Sequence, residues 1–172
     1  MKALRLTLLS VLASCSSLAF AQSPAQKSFA EIKALAGTWE GTLMTVPASK
    51  EYQGKEVKVH LRVTSSGHAV MHEMRVSGQT DDPITMLYVH DHRLFLRHYC
   101  DAGNRPRMVA KASPGGKTIK FHLVDVSGSK RNGYMDSAVF TAIDARHHTE
   151  EWTYLEPGDH PVRVYLHLHR VQ

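Results

Sequence analysis

Several segments of this chain alternate apolar and polar residues with a period of two. Near the end of the chain, Val162, Val164, Leu166 and Leu168 alternate with charged, aromatic and histidine side chains. A period of two puts one face of a segment in a core and the other in water, which is typical of antiparallel strands. The predicted strands are 38–46, 55–64, 68–77, 84–90, 93–100, 106–112, 117–126, 134–142, 147–155 and 161–171.

Turn-forming residues separate these segments, for example Ser65-Ser66-Gly67 and Asn132-Gly133. Short strands at regular spacing predict a sandwich or a barrel. Closure into an up-and-down barrel leaves no sheet edge unpaired. We therefore predict an all-β fold, an antiparallel up-and-down barrel of about ten strands with a short N-terminal helix. A barrel this wide is expected to keep an apolar cavity that side chains alone do not fill.

The start of the chain has the features of a secretory signal. A basic beginning precedes the apolar stretch 6–12, and Ala-Phe-Ala at 19–21 matches a cleavage site. The apolar stretch is shorter than the roughly 20 residues that span a bilayer, so no transmembrane segment is predicted. We predict a signal peptide at 1–21 and a periplasmic or secreted protein. Because Leu-Ala-Ser-Cys at 12–15 resembles a lipobox, a lipoprotein anchored through Cys15 is the alternative.

The part of the chain after residue 21 has the length of one domain. Residues 22–27 are a polar lead-in. Ser28 and Glu31 have the spacing of a capping box, and Gly37 supplies a stop signal, which predicts a helix at 28–36. The predicted organisation is a single barrel domain at 28–172 that begins with this helix.

Charge and cysteine content narrow the possible partners. Lys2 and Arg5 lie in the predicted signal, so 19 of the 21 basic residues remain against 16 acidic ones, a net charge of +3. There is no basic stripe, so no nucleic-acid partner is predicted. Cys100 would be the single cysteine after cleavage and would form no internal disulfide. The sequence leaves the oligomeric state open.

Residues 35–41, Leu-Ala-Gly-Thr-Trp-Glu-Gly, resemble the opening of calycin-type barrels such as lipocalins and fatty-acid-binding proteins. In that family a short helix precedes a G-x-W motif, and the tryptophan closes one end of the barrel. The resemblance implies that Trp39 is this tryptophan. It also implies that Arg170, late on the last strand, packs over the ring in a cation–π contact.

Two further resemblances concern the middle and the end of the chain. Residues 86–108, with His-Tyr-Cys at 98–100 and Pro-Arg-Met at 106–108, resemble a family of small secreted bacterial proteins of unassigned function. That family is expected to have Asp-Gly in the hairpin where this chain has Asp91-His92, so we expect a strained or lengthened turn. The last strand is similar to that of nitrobindin-like barrels, which implies haem b bound through His167 or His169.

Strand parity identifies polar residues that face inward. If the apolar residues of each strand line the core, side chains two residues away on the same strand face it too. A buried polar group needs a partner. The candidate ligand-binding residues are therefore His72, His98, Cys100, His148, Glu150, Trp152 and Tyr154.

These observations leave several functions open. The first hypothesis is an exported barrel that binds a small apolar molecule and needs no cofactor. The second is a haem or metal protein that uses His167 or His169, although the parity of the last strand turns both outward. The third is an enzyme that uses His98, Cys100, His148 and Glu150, although no catalytic motif accompanies them. The fourth is an interaction module with no cavity.

Overall fold

The structure, a computed structural model, describes residues 22–112 and 116–171. The predicted signal peptide, including Cys15, lies outside these residues. One α-helix and ten strands form the described part: α1 (Pro24–Ala34), β1 (Gly37–Val46), β2 (Glu56–Thr64), β3 (Ala69–Val76), β4 (Ile84–His90), β5 (Arg93–Tyr99), β6 (Arg105–Ala112), β7 (Thr118–Ser127), β8 (Tyr134–Ala142), β9 (His147–Glu156) and β10 (His160–Arg170). Each predicted strand is present, with bounds that differ by one residue at most.

The ten strands close into a barrel. Each strand pairs antiparallel with its neighbours in sequence, and β1 pairs with β10 to complete the wall. Trp39 lies opposite Arg170 across the closing seam, and Val46 lies opposite Arg163. The fold class predicted from the period-two pattern is confirmed.

The helix begins earlier than predicted. It starts at Pro24 instead of residue 28, and most of the predicted polar lead-in is helical. The capping box is formed by Ser23 and Gln26: the Ser23 hydroxyl accepts from the Gln26 backbone, and the Gln26 side chain accepts from the Ser23 backbone. Proline is well suited to the first helical position because it lacks the amide hydrogen that would be unpaired there. Ser28, the predicted cap, therefore lies inside the helix.

The helix covers one end of the barrel, where it packs against β4, β5 and β6. Phe29 and Ile32 are the buried residues of the helix. Along the barrel, bulky side chains fill most of the interior, and the largest fully buried aromatic residues are Trp39, Phe121 and Phe140. In residues 22–112 and 116–171, no helix has the length and apolar character needed to cross a lipid bilayer.

The hairpin between β4 and β5 has two turn residues, Asp91 and His92, flanked by the paired His90 and Arg93. Both turn residues have positive φ, 46° and 57°. Two positive φ values are characteristic of the type I′ turn, in which glycine is the favoured residue at the second position. The turn therefore has the ordinary two residues and is not lengthened. His92 occupies, in a left-handed conformation, the position where glycine was expected.

Gly41 permits a close approach of β1 to β10. A Cβ atom at this position would lie 1.9 Å from the backbone oxygen of His167. No side chain fits at that distance, so the seam requires glycine here.

Candidate ligand site inside the barrel

The closed end is built around Trp39, which is fully buried. Its indole nitrogen donates to the Leu35 carbonyl at 2.8 Å, just after the helix ends. The Arg170 guanidinium lies 4.1 Å from the Trp39 ring centroid. It also donates to the carbonyls of Ala36 at 2.6 Å and Ala34 at 3.1 Å. The structure thus places Arg170 where it ties the last strand to the tryptophan and to the end of the helix.

A buried polar cluster lies directly above this end. The ring of His148 packs edge-on against Trp39, with centroids 4.2 Å apart. His148 Nε2 is 3.1 Å from Glu150 Oε1, and His72 Nε2 is 3.0 Å from Glu150 Oε2. The indole nitrogen of Trp152 donates to the same Oε2 at 2.9 Å. Two side chains of β9 and one of β3 therefore converge on a single carboxyl group.

The carboxyl group of Glu150 is ionised. Burial is the largest influence on its pKa and raises it, but the charge of His72 and the hydrogen bonds from His148 and His72 outweigh burial. The net result is a pKa below the usual value. Because a carboxylate only accepts hydrogen bonds, both histidines donate to it through Nε2. In a neutral ring the other nitrogen, Nδ1, is then an acceptor.

His98 forms a second polar pair on the neighbouring wall. Its Nδ1 lies 2.8 Å from the Thr85 hydroxyl, on the adjacent strand β4. Burial, and to a smaller extent the charge of His72, lower the pKa of His98 from 6.5 to about 3. The imidazole is therefore neutral at physiological pH. The rings of His72 and His98 both lie close to the Trp152 ring, with centroids 5.6 Å and 5.5 Å from it.

Three imidazole nitrogens in this region have unused hydrogen-bonding capacity. His72 Nδ1, His98 Nε2 and His148 Nδ1 are buried, and within the described part of the chain none has a hydrogen-bond partner. His72 is 2% exposed and His98 is 3% exposed, so bulk water does not satisfy them. Buried imidazole nitrogens without partners cost roughly 1–3 kcal/mol each, which makes them candidates for contact with a bound molecule.

His72 and His98 line a small cavity together with Trp152. The other lining residues are Met74, Pro83, Thr85, Met135 and Val164. Its volume is about 30 Å³, which is close to the share of one water molecule in the liquid. The cavity here is therefore far smaller than the wide interior expected from the strand number, because aromatic and methionine side chains occupy the space.

The cavity lies toward the end of the barrel opposite the helix. Met74 is near the end of β3, Pro83 precedes β4, and Met135 is near the start of β8, while Val164 is in the middle of β10. In an antiparallel barrel these strand ends lie together, opposite the end where β1 begins with Trp39. A molecule would reach His98 from this side, past the two methionines.

Cys100 and Tyr154 do not line this cavity. Cys100 follows the end of β5 and is half-buried, and burial raises the pKa of its thiol, so the nucleophilic thiolate is disfavoured. The Tyr154 hydroxyl donates to the Asn132 carbonyl. Of the four residues in the enzyme hypothesis, His148 and Glu150 are hydrogen-bonded to each other, while His98 is bonded to Thr85. This arrangement does not assemble a cysteine nucleophile with a base.

His167 and His169 lie on the outer surface of β10. Leu166 and Leu168 are buried on the inner face, and both histidines are exposed. The inward orientation that the haem hypothesis needs is absent in the described strand, because the ladder from β9 to β10 continues through both histidines without a bulge.

Sequence reasoning missed Thr85 and the two methionines. Thr85 is 1% exposed and shares the inner face of β4 with Leu87, so parity alone would have identified it. Met74 and Met135 have the apolar character of ordinary core residues. Their place at the mouth of a cavity depends on which strand ends meet, which the pattern of one strand does not show.

The fold and the site define a class of protein: a small, closed, ten-stranded barrel with a tryptophan–arginine closed end and a buried histidine–glutamate cluster. No protein-family model matches the chain, and no curated protein matches it. The structure is similar to Rv2717c from M. tuberculosis, with a TM-score of 0.62 and 13% sequence identity, over 84% of this chain and 98% of that chain. At this identity the similarity shows a shared fold.

A second solved structure is a protein of unknown function of the DUF3598 family from Nostoc punctiforme. It aligns over 84% of this chain and 99% of that chain with 8% identity and a TM-score of 0.26, which is too low to indicate a common fold.

Proposed function

We propose that this protein binds a small, neutral, mostly apolar molecule inside the barrel. The observation that carries the proposal is a pair of buried nitrogens, His98 Nε2 and His72 Nδ1, that have no partner among residues 22–112 and 116–171. Both residues line a cavity whose other walls are mostly apolar. A ligand with one hydrogen-bonding group would satisfy one of these nitrogens and bury its apolar part against Trp152 and Val164.

The charges around the cavity favour a neutral ligand. The Glu150 carboxylate is paired with His72, so this pair offers no unbalanced positive charge that would attract an anion. Because its pKa is low, His98 stays neutral and offers no positive charge to balance that of an anionic ligand. Among polar ligand groups, a hydroxyl, carbonyl or heteroaromatic nitrogen therefore suits the site better than a carboxylate or phosphate.

The size of the ligand depends on two methionines. The cavity of about 30 Å³ takes only one or two heavy atoms as it stands. Met74 and Met135 are at its mouth, and methionine side chains change rotamer readily to admit other shapes. Entry of a larger molecule would displace them toward the open end while the helix-covered end stays closed.

Export is part of the proposal and has its own test. The signal-like residues 1–21 support it. Intact mass spectrometry of the protein from fractionated host cells should give a chain that begins at Gln22 in the periplasm or medium. A chain that retains Met1 in the cytoplasm would contradict export without affecting the proposed site.

Binding is tested by native mass spectrometry of the protein isolated from its host, followed by fluorescence titration. In a Trp39→Phe variant, Trp152 is the remaining tryptophan of the described chain and reports on the cavity. Small neutral alcohols, ketones and heteroaromatic compounds serve as probes. We expect at least one to shift Trp152 emission with a saturable curve, and His98→Leu to weaken that affinity at least tenfold.

His122→Gln is the matched control, because His122 is exposed on the outer face of β7. It should leave the affinity unchanged. The proposal is refuted if the isolated protein carries no bound molecule and no probe changes Trp152 emission, or if His98→Leu and the control bind equally well.

A further inference from the structure

Two histidines face each other across the outer surface of the barrel. His147 on β9 is opposite His169 on β10. The backbone nitrogen of Arg170 donates to the oxygen of Arg146 at 2.8 Å, which makes that neighbouring pair the hydrogen-bonded one. His147 and His169 are then a non-hydrogen-bonded pair, whose Cα atoms lie about 4.5 Å apart and whose side chains are the closest in the ladder.

Both imidazoles are directed away from the core. Their neighbours His148 and Leu168 are buried on the inner face, whereas His147 and His169 are exposed. The pair is therefore accessible from solvent and separate from the cluster inside the barrel.

Asp144 holds the ring of His147 in one orientation. Both of its carboxylate oxygens are 3.0 Å from His147 Nδ1, and the Arg146 backbone fixes the carboxylate with a hydrogen bond of 2.7 Å. Since the carboxylate only accepts, Nδ1 carries the hydrogen and the lone pair of a neutral ring is on Nε2. A carboxylate that orients a histidine in this way is the usual support of a metal-ligating imidazole.

Glu40 lies on the other side of His169. The two residues are opposite each other in the ladder between β1 and β10. One oxygen of Glu40 accepts from the Lys58 ammonium at 3.0 Å. Among residues 22–112 and 116–171, no group of three metal-ligating side chains is already assembled. A metal ion here would be held by two imidazoles, with water or a reoriented Glu40 in its other positions.

We propose that the outer face of β9 and β10 binds a divalent zinc or copper ion through Nε2 of His147 and a ring nitrogen of His169. Imidazole nitrogen is a preferred ligand for both ions. This pair differs from the pair His167 and His169 on one strand, whose Cα atoms are about 6.8 Å apart. His167 is opposite Thr149, which supplies no second imidazole.

Calorimetric titration of the full chain with Zn²⁺ at pH 7.5 tests the proposal. Zinc is chosen because it undergoes no redox reaction with Cys100. We expect one saturable site that His147→Gln or His169→Gln weakens at least tenfold. Asp144→Asn should weaken it about tenfold, the lower end of the effect of removing a carboxylate that supports a metal ligand.

His167→Gln is the matched control, since it removes an exposed histidine of the same strand and should change the affinity less than twofold. Nitrogen NMR of the imidazoles should show the Zn²⁺-induced shift at His147 and His169. Equal losses in all three histidine variants would mean scattered binding to single imidazoles and overturn the proposal. Absence of saturable binding, or an unchanged affinity in His147→Gln, would overturn it as well.

Discussion

The low pKa of His98 predicts a specific loss of stability in mild acid. The pKa of His98 is lowered from 6.5 to about 3 in the folded protein, first by burial and then by the charge of His72. In the unfolded chain His98 takes up a proton near pH 6.5, whereas the folded protein does not until about pH 3. The unfolded state therefore binds more protons in this window, and stability falls as the pH falls.

The size of this effect follows from the two pKa values. Each pH unit below the pKa that His98 has in the unfolded chain removes about 1.4 kcal/mol from the free energy of unfolding. From neutral pH to pH 4.5, His98 alone should remove about 2.7 kcal/mol. The total stability of a domain is roughly 5–15 kcal/mol, so the loss is large enough to measure.

Urea denaturation between pH 7.5 and pH 4.5 measures it, with His98→Asn as the comparison. Asparagine does not titrate, and its amide can keep the hydrogen bond to Thr85. The variant should begin less stable, because the smaller side chain leaves a void, and should lose about 2.7 kcal/mol less than the parent as the pH falls to 4.5. Other titrating groups, such as Glu150, are present in both proteins, so their contributions to the pH dependence cancel in the comparison. Parallel curves would refute the assignment of a neutral, buried His98.

Three further changes test the fold and the cluster. Glu150→Gln should cost about 3 kcal/mol or more in urea denaturation, because an amide cannot accept from all the donors around it; a smaller loss would mean that the donors find other partners. Gly41→Ala should cost about 3 kcal/mol or more, since its Cβ meets the His167 backbone; a thermal melt like that of the parent would contradict this. His92→Gly should stabilise the hairpin by about 0.5–1 kcal/mol, since φ is 57°, and a lower melting temperature would contradict it.

The strands were predictable because their physical cause is local. Alternation over four or more residues reports directly which face is buried, and together with the turn residues between segments it placed the ten strands of the described chain. The helix start was less predictable. Two capping patterns compete near it, at Ser23 and at Ser28, and both have a glutamine or glutamate three residues later. Pro24 supports the first pattern, because proline is favoured at the first helical position.

The inner wall was predictable and its contacts were not. Parity identified His72, His98, His148 and Glu150 as inward residues, and all four are buried. That His72 on β3 meets Glu150 on β9 is a consequence of the barrel's curvature, since these strands are not neighbours in the wall. Sequence spacing carries no information about contacts across the interior.

The cavity is smaller than expected for a similar reason: it depends on how side chains fill the interior, which the pattern of a single strand does not show. Strand number sets the diameter of a barrel, but the interior that remains depends on side-chain volume. Trp39, Phe121, Phe140 and Trp152 project into this barrel and pack against one another or against the histidines. The number of strands alone therefore overstates the volume available to a ligand. The volume of the aromatic side chains on the inner faces has to be subtracted from the interior volume.

The polar cluster is difficult to explain as packing alone. Apolar residues of similar volume often stabilise a core as well as a buried ion pair does, or better. Here Glu150 is satisfied by three donors, yet His72 and His98, which both line the cavity, each keep a nitrogen that has no partner among the described residues. The two imidazoles thus have more hydrogen-bonding capacity than is needed to satisfy the Glu150 carboxylate. If it is what the barrel offers to a ligand, then affinity should follow the hydrogen-bonding group of the ligand more closely than its size, because Met74 and Met135 adjust to size and the two imidazoles do not.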